Sequence, residues 1–164
     1  MDRVTVSVAI ARPREQVFEY LADLANHAEF TDHYLLDWHL TRENSYGLGA
    51  GARFRLKAPG NRFGWGDVTV VEFERPARIA EKGRGGKYNR ITSRGEYRLT
   101  PRDDDGTDVE FSLETEPGNL SDRIMESLGA RRFVKRQNAK ALRRLRTILE
   151  KDEGRGRRAT VAGR

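Results

Sequence analysis

The feature that most constrains the fold is a helical pattern over residues 119–150, which follows a long region of strand-like alternation and turns. Its apolar stripe at helical spacing comprises Val134, Ala141, Leu145 and Ile148, and the polar Asn138 interrupts it. A helix that follows a series of strands must bury its stripe against a sheet. We therefore expect it to lie in the concave face of a curved sheet, with a small-molecule cavity between the two.

The rest of the chain predicts two short helices and seven strands. Val4, Val6 and Val8 alternate with polar or small residues as in a half-buried strand, and Pro13 begins a helix after it. Further strands are predicted near residues 36–40, 53–57, 65–73, 78–82, 88–99 and 109–113, with a second short helix at 26–30 and a turn at 83–86. Hairpin-sized connections predict an α+β fold, in which a seven-stranded antiparallel curved sheet wraps around the long C-terminal helix.

Composition bounds the compartment and the class of site. The absence of cysteine excludes disulfides, thiolate metal ligands and a cysteine nucleophile, and it favours the cytoplasm. No apolar run is long enough for a transmembrane helix, so we expect a soluble protein. The length and the 37% apolar content fit one domain over residues 1–150, followed by a basic, disordered tail over residues 151–164.

Four fragments carry a family resemblance, together with the first Val-Xaa-Val-Xaa-Val strand. They are Arg12-Pro13 running to Asp23, the Gly49–Phe54 segment, Phe73-Glu74-Arg75-Pro76-Ala77-Arg78, and Gly95-Glu96-Tyr97-Arg98-Leu99. With the order of elements, they resemble the START-like, polyketide-cyclase/dehydrase superfamily (SRPBCC), whose helix-grip fold is shared with the birch pollen allergen. The resemblance implies a deep cavity for lipids, polyketides, sterols or aromatic molecules. Some members catalyse cyclisation or dehydration and many only bind or carry, so no catalytic residue is transferred.

Candidate ligand-binding residues are large side chains on the predicted strands, one loop residue at the expected cavity mouth, and the start of the long helix, where it would cover the cavity. Ordinary core packing is the alternative for each of them. The predicted set is Tyr34, Trp38, Phe54, Trp65, Tyr88, Tyr97, Ile124, Met125 and Leu128.

Candidate catalytic groups are few. His33 in the loop before the second strand and the hydroxyl of Tyr97 could transfer protons, with an exposed loop histidine and plain core packing as the alternatives. Asp67 and Glu72 lie on opposite faces of one predicted strand, so at most one of them points inward as a general base. The histidines are spaced by six residues, which does not suit a helical ligand pair, and we predict no metal site and no cofactor.

Two functional hypotheses follow. The first is binding of a small hydrophobic ligand, whether aromatic, polyketide-like or lipid, and it leaves open whether cyclase or dehydratase chemistry follows. The second is a non-catalytic module that binds a polyanion or an acidic partner through the basic helix and tail. Residues 131–146 carry eight basic side chains and no acidic one, within a net charge of +6. A solvated helix face explains this run better than a nucleic-acid site, and the sequence indicates no oligomeric state.

Overall fold

The computed structural model describes residues 1–58, 64–116 and 129–161. The strands are β1 (Val4–Ile10), β2 (Leu35–Leu40), β3 (Gly51–Leu56), β4 (Trp65–Glu74), β5 (Arg78–Gly85), β6 (Ile91–Pro101) and β7 (Thr107–Glu116). The helices are α1 (Arg14–Ala22), α2 (His27–Thr31) and α3 (Ala130–Lys151), with short 3-10 turns at Leu24–Asn26 and Lys87–Asn89.

The seven strands form one antiparallel sheet in the order β1-β7-β6-β5-β4-β3-β2. Strands β2 to β7 form a meander, and β1 closes it by pairing with β7. The sheet curls so that α3 packs against β1 and α2. The predicted fold class is confirmed. Apolar residues of the concave face and of α3 share one core, which includes Val70, Ile79, Leu99, Val109, Leu142, Leu145 and Ile148.

A β-bulge in β2 changes which side chains of this strand face inward. Leu36 pairs with the outward-facing Arg55, and the register shifts before His39 pairs with Arg53. Asp37 adopts a positive φ of 54° at this shift. Simple alternation places Leu36 and Trp38 on one face, but the inserted residue reverses the phase and leaves Trp38 inside.

The connection between β5 and β6 also differs from the prediction. Residues 83–86 read as a turn, yet β5 continues through Gly85 because Gly83 and Gly85 pair with strands on both sides. Tyr88, predicted on a strand, lies instead in the 3-10 turn with a φ of 59°. Local glycine content predicted a break, but pairing in the sheet interior determines the structure here.

The long helix begins at Ala130 after Gly129, whose φ of 92° lies in the left-handed region that glycine adopts without steric cost. The predicted helical residues 119–128 lie outside the described residues. The helix ends at Lys151, and Asp152 follows in a left-handed conformation with its N–H bonded to Ile148 O.

The segment after α3 differs from the predicted disordered tail. Residues 155–161, which we call the C-terminal strap, fold back over α2 and the edge of β2. The amide of Gly156 donates to Glu29 O, and that of Ala159 donates to Ala25 O. The basic composition that predicted disorder is one reason for order, since Arg155 and Arg158 meet the carboxylates of Glu29 and Asp23.

Candidate ligand-binding site

The site is built around a carboxyl group in the concave face. Glu81 lies on β5, opposite Val70 of β4 and Gly95 of β6, and is 7% exposed. Its Oε1 atom has no hydrogen-bond partner among the described residues. Because burial disfavours the charged form, the pKa of Glu81 rises from 4.5 to about 7. A carboxyl with this pKa can both accept and donate a proton near neutral pH.

His27, the first residue of α2, faces Glu81. Its Nε2 lies 2.8 Å from Leu21 O, and because a carbonyl only accepts, Nε2 carries the proton and Nδ1 has the lone pair. Nδ1 lies 3.7 Å from Oε1 of Glu81. Complete burial lowers the pKa of His27 to about 4. The contact is therefore not an ion pair below pH 7, since the imidazole is neutral above its own pKa and the carboxyl is mostly protonated.

Tyr34 and Asn138 form the second part of the cluster. The Tyr34 hydroxyl donates to Asn138 Oδ1 at 2.7 Å, which links the chain after α2 to the middle of α3. Asn138 is 3% exposed, and its Nδ2 has no hydrogen-bond partner in the described part of the chain. The pKa of Tyr34 is raised by burial and by the nearby charge of Glu81. The polar residue that interrupts the apolar stripe of α3 thus holds a hydrogen bond in the interior and keeps an open donor there.

Tyr97 completes the cluster on β6. It is buried opposite Ile79 and Phe111 in the sheet, and its ring centroid lies 5.7 Å from that of His27. Burial, and then the charges of Glu81 and Tyr34, raise its pKa well above the ordinary value. The hydroxyl of Tyr97 is therefore a hydrogen-bond donor, not a base, at physiological pH.

Two aromatic pairs border the cluster, and the Trp38 ring centroid lies 5.7 Å from that of His27. Trp38 stacks on Phe54 with centroids 5.1 Å apart and an interplanar angle of 9°, and Tyr97 packs on Phe111 at 4.5 Å. Glycines admit the outer ring of each pair. A Cβ at Gly66 would lie 3.1 Å from the Phe54 ring, and one at Gly95 would lie 3.3 Å from the Phe111 ring. These flat apolar walls suit an apolar or aromatic ligand.

Beyond Glu81 the concave face is less completely covered. Toward the β5–β6 turn, its side chains are half-buried, whereas Ile79 and Leu99 on the other side of Glu81 are fully buried in the core. On the N-terminal half of α3, Ala130 and Val134 share the stripe of Asn138 and are also half-buried. The half-buried residues in this part of the concave face include Phe54, Leu56, Gly85, Ile91, Ser93, Phe111 and Leu113.

Four of the predicted ligand-binding residues belong to the cluster around Glu81 or to the aromatic pairs that border it. They are Tyr34, Trp38, Phe54 and Tyr97.

The other predicted ligand-binding residues lie elsewhere. Trp65 lies on the outer face, 42% exposed, where Arg53 packs over its ring. Tyr88 is 78% exposed in the turn before β6. Ile124, Met125 and Leu128 lie outside the described residues.

Of the catalytic candidates, the structure places Tyr97 in the cluster, His33 at its edge with its ring centroid 4.8 Å from that of Tyr34, and Asp67 and Glu72 away from it. His33 lies between α2 and α3, where Arg144 donates to its Nδ1 at 3.3 Å, and desolvation together with nearby cations lowers its pKa. Asp67 is exposed in a groove of about 420 Å³ on the outer face and accepts the amide of Arg84. Glu72 pairs with Arg78 and Arg94.

Sequence reasoning missed Glu81 and His27. Glu81 has the same phase on β5 as the buried Ile79, and this alternation was a usable signal for an inward carboxylate. His27 was considered only as a metal ligand. Within the described ranges, no group of three or more histidine, aspartate and glutamate side chains could hold a metal ion. No helix in those ranges is long and apolar enough to span a membrane.

The arrangement of the strands and the long helix has known counterparts. A family model described as polyketide cyclase / dehydrase and lipid transport matches residues 1–150. The chain belongs to this family. No curated protein matches it.

Solved structures share the fold at low sequence identity. Truncated norcoclaurine synthase from Thalictrum flavum is 10% identical with a TM-score of 0.70, and the match covers 92% of this chain and 94% of that one. The protein TTHA0849 from Thermus thermophilus is 14% identical with a TM-score of 0.69, covering 92% and 99%. DynU16, a putative protein in the dynemicin biosynthetic locus, is 19% identical with a TM-score of 0.64, covering 95% and 50%.

Proposed function

We propose that this family member binds a small, mostly apolar ligand in the concave face of the sheet, with the polar end of the ligand at Glu81 and Asn138. One observation carries the proposal: Oε1 of Glu81 and Nδ2 of Asn138 are buried atoms without a partner among the described residues. An unsatisfied buried polar group costs about 1–3 kcal/mol. A ligand oxygen that accepts from Asn138 and a hydroxyl that meets Glu81 would recover this free energy.

The surroundings favour an aromatic or polyketide-like molecule over a flexible lipid chain. The Trp38–Phe54 and Tyr97–Phe111 pairs present flat rings around the cluster. The family description includes polyketide cyclases and lipid transport, and the neighbours include norcoclaurine synthase and a protein of the dynemicin locus. We also propose that the protein is cytoplasmic, as the absence of cysteine predicts.

The cluster also supports acid–base chemistry on such a ligand. With a pKa of about 7, Glu81 can remove a proton from a carbon next to a carbonyl while Asn138 Nδ2 donates to the carbonyl oxygen. The electron pair of the broken C–H bond forms a C=C bond as a β-hydroxyl group departs. Protonated Glu81 returns its proton to that hydroxyl, which leaves as water. This is a dehydration that consumes no cofactor.

Native mass spectrometry of the gently purified protein, followed by identification of any released molecule, tests the binding proposal. Ser93→Phe fills the concave face, whereas Thr92→Phe on the same strand points to the opposite face and is the matched control. We expect the retained ligand to be lost from Ser93→Phe and kept by Thr92→Phe. If the purified wild-type protein retains no ligand, calorimetry instead measures the binding of 1-naphthol and 2-acetylnaphthalene to the wild type and to both variants. Equal binding by both variants would contradict the proposed site.

A second function is favoured by the outer surface of α3. Seven basic side chains between residues 131 and 146 of this helix form no salt bridge within the described residues: Arg131, Arg132, Lys135, Arg136, Lys140, Arg143 and Arg146. Such a face suits a polyanion or an acidic partner. This interaction module would not depend on the interior cluster.

A further inference from the structure

We infer that the C-terminal strap positions α2, and with it His27, against the interior cluster. The strap lies beyond residue 150, where the family match ends, so it is an addition in this chain to the matched region. All five residues of α2 are buried. His27 and Phe30 face the core, and the strap covers the opposite side of the helix.

Glu29 anchors the strap to α2. Its carboxylate is almost completely buried and accepts from the Tyr20 hydroxyl and from Arg155, whose Nη1 lies 2.8 Å from Oε2. The Arg155 guanidinium also lies over the Tyr20 ring, 5.8 Å from its centroid. A buried carboxylate is strongly destabilising when it loses its cation. Arg155 is therefore the residue that allows the outer side of α2 to be buried.

Gly156 brings the strap backbone against α2. Its amide donates to Glu29 O at 2.9 Å. A Cβ at this position would lie 2.4 Å from Asp32 Oδ2 and 2.9 Å from Glu29 O. Any side chain would push the strap away from the helix, so glycine is required for this close approach.

The other end of the strap reaches the sheet. Ala159 donates to Ala25 O at 2.9 Å, and Leu40 of β2 donates to Thr160 O at 2.9 Å. Leu40 and Val161 form a parallel bridge, which covers part of the β2 edge. The strap thus joins α2 to β2, and these two elements carry His27 and Trp38, whose ring centroids lie 5.7 Å apart.

The strap acts on Glu81 through His27. If α2 is released on its outer side, His27 moves away from Oε1 of Glu81 and water reaches the carboxyl. The strap is then a positioning element for the cluster and touches no ligand. This inference does not depend on the proposed function, because its test needs only the protein.

The test compares three variants of the full chain by NMR. Arg155→Ala removes the cation at Glu29, and Gly156→Ala displaces the backbone without changing charge. Arg157→Ala is the matched control, because Arg157 forms no hydrogen bond or ion pair within the described residues. Amide hydrogen exchange at residues 24–31 is measured against exchange in β6, and the Glu81 side chain is titrated by its carboxyl carbon.

We expect Arg155→Ala and Gly156→Ala to speed exchange at residues 24–31 by about tenfold or more relative to β6, the effect of losing a hydrogen bond to a charged group. Both variants should also lower the titration midpoint of Glu81, while Arg157→Ala changes neither quantity. Equal acceleration in α2 and β6 would mean that the strap only stabilises the whole fold. That result, an unchanged Glu81 titration, or failure of both variants to fold would overturn the inference.

Discussion

Nδ1 of His27 lies 3.7 Å from Oε1 of Glu81, and burial shifts the pKa values of the two groups in opposite directions. Between about pH 4 and 7 both groups are mainly uncharged in the folded protein. In the unfolded chain, where their pKa values are ordinary, each carries charge over part of this range. As the pH rises through this range, Glu81 therefore lowers the stability of the fold and His27 raises it.

Glu81→Gln should raise the free energy of unfolding in a pH-dependent way. The folded state keeps the Glu81 proton up to about pH 7 while the unfolded state loses it near pH 4.5, so this group destabilises the fold increasingly as pH rises. His27 has the opposite effect between about pH 4 and 6.5, which conceals the Glu81 contribution in the wild type. The variant should match the wild type near pH 4.5 and gain about 3 kcal/mol by pH 8. Urea denaturation at pH 4.5, 6 and 8 measures this difference, and a constant difference would show that Glu81 titrates normally.

A double-mutant cycle should show that the Tyr34–Asn138 hydrogen bond stabilises the folded protein. Tyr34→Phe leaves Asn138 Oδ1 without its donor, and Asn138→Leu leaves the Tyr34 hydroxyl without its acceptor. Tyr34→Phe should lower stability by about 1–3 kcal/mol, because it leaves a buried acceptor unsatisfied, whereas Asn138→Leu should lower it less, because it also removes the unpartnered Nδ2 donor. The double variant should lose less than the sum of the two. Chemical denaturation of all four proteins completes the cycle, and additive losses would mean that the hydrogen bond contributes nothing measurable.

Adjacent arginines of α3 should differ in their effect on stability. Arg144 pairs with Asp32 and donates to Glu29 O at 3.0 Å, whereas Arg143 is exposed and its side chain makes no described salt bridge. Arg144→Ala should lower the free energy of unfolding by about 1–3 kcal/mol, while Arg143→Ala should stay within about 0.5 kcal/mol of the wild type. Thermal and urea unfolding compare the two variants. Similar values for both would contradict the role of Arg144 in holding α2.

The basic face of α3 can be tested without disturbing the fold. Arg143→Glu and Lys135→Glu change exposed side chains, and binding to heparin and to single-stranded DNA is measured by fluorescence anisotropy from about 50 to about 300 mM salt. A polyanion partner predicts binding that weakens steeply with salt and falls further in the variants. Binding that depends neither on the salt concentration nor on these two substitutions would exclude this second function. Arg144 is not suitable for charge reversal, because it donates to Glu29 O and to His33 Nδ1 and so holds α2 against α3.

Much of the fold could be predicted because period-2 alternation and turn residues are local signals. The errors arose where tertiary pairing decides. The bulge at Asp37 places Leu36 on the outer face and Trp38 on the inner one. The glycines of β5 remain in the strand because both neighbouring strands, β4 and β6, pair with them. No local pattern reveals that Arg155 meets Glu29, which lies 126 positions away in the chain.

The interior cluster was partly visible in the sequence. Tyr34, Trp38, Phe54 and Tyr97 are recognisable as large residues with strand or loop positions, but their polar centre is harder to find. Glu81 stands among charged neighbours that point outward, so only its phase relative to Ile79 distinguishes it. Asn138 was detectable as an interruption of an apolar stripe, yet its hydrogen bond to Tyr34 follows from the packing of α3 across the sheet.

The strap also affects the order in which the protein can mature during synthesis. Strands β2 to β7 pair with sequence neighbours and can form while the chain is still emerging from the ribosome. The outer side of α2, in contrast, stays uncovered until residues 155–161 are available. A nascent chain without them would hold Glu29 without Arg155 and would expose the edge of β2 at Leu40. The sheet can therefore be assembled before the region around His27 reaches its final form.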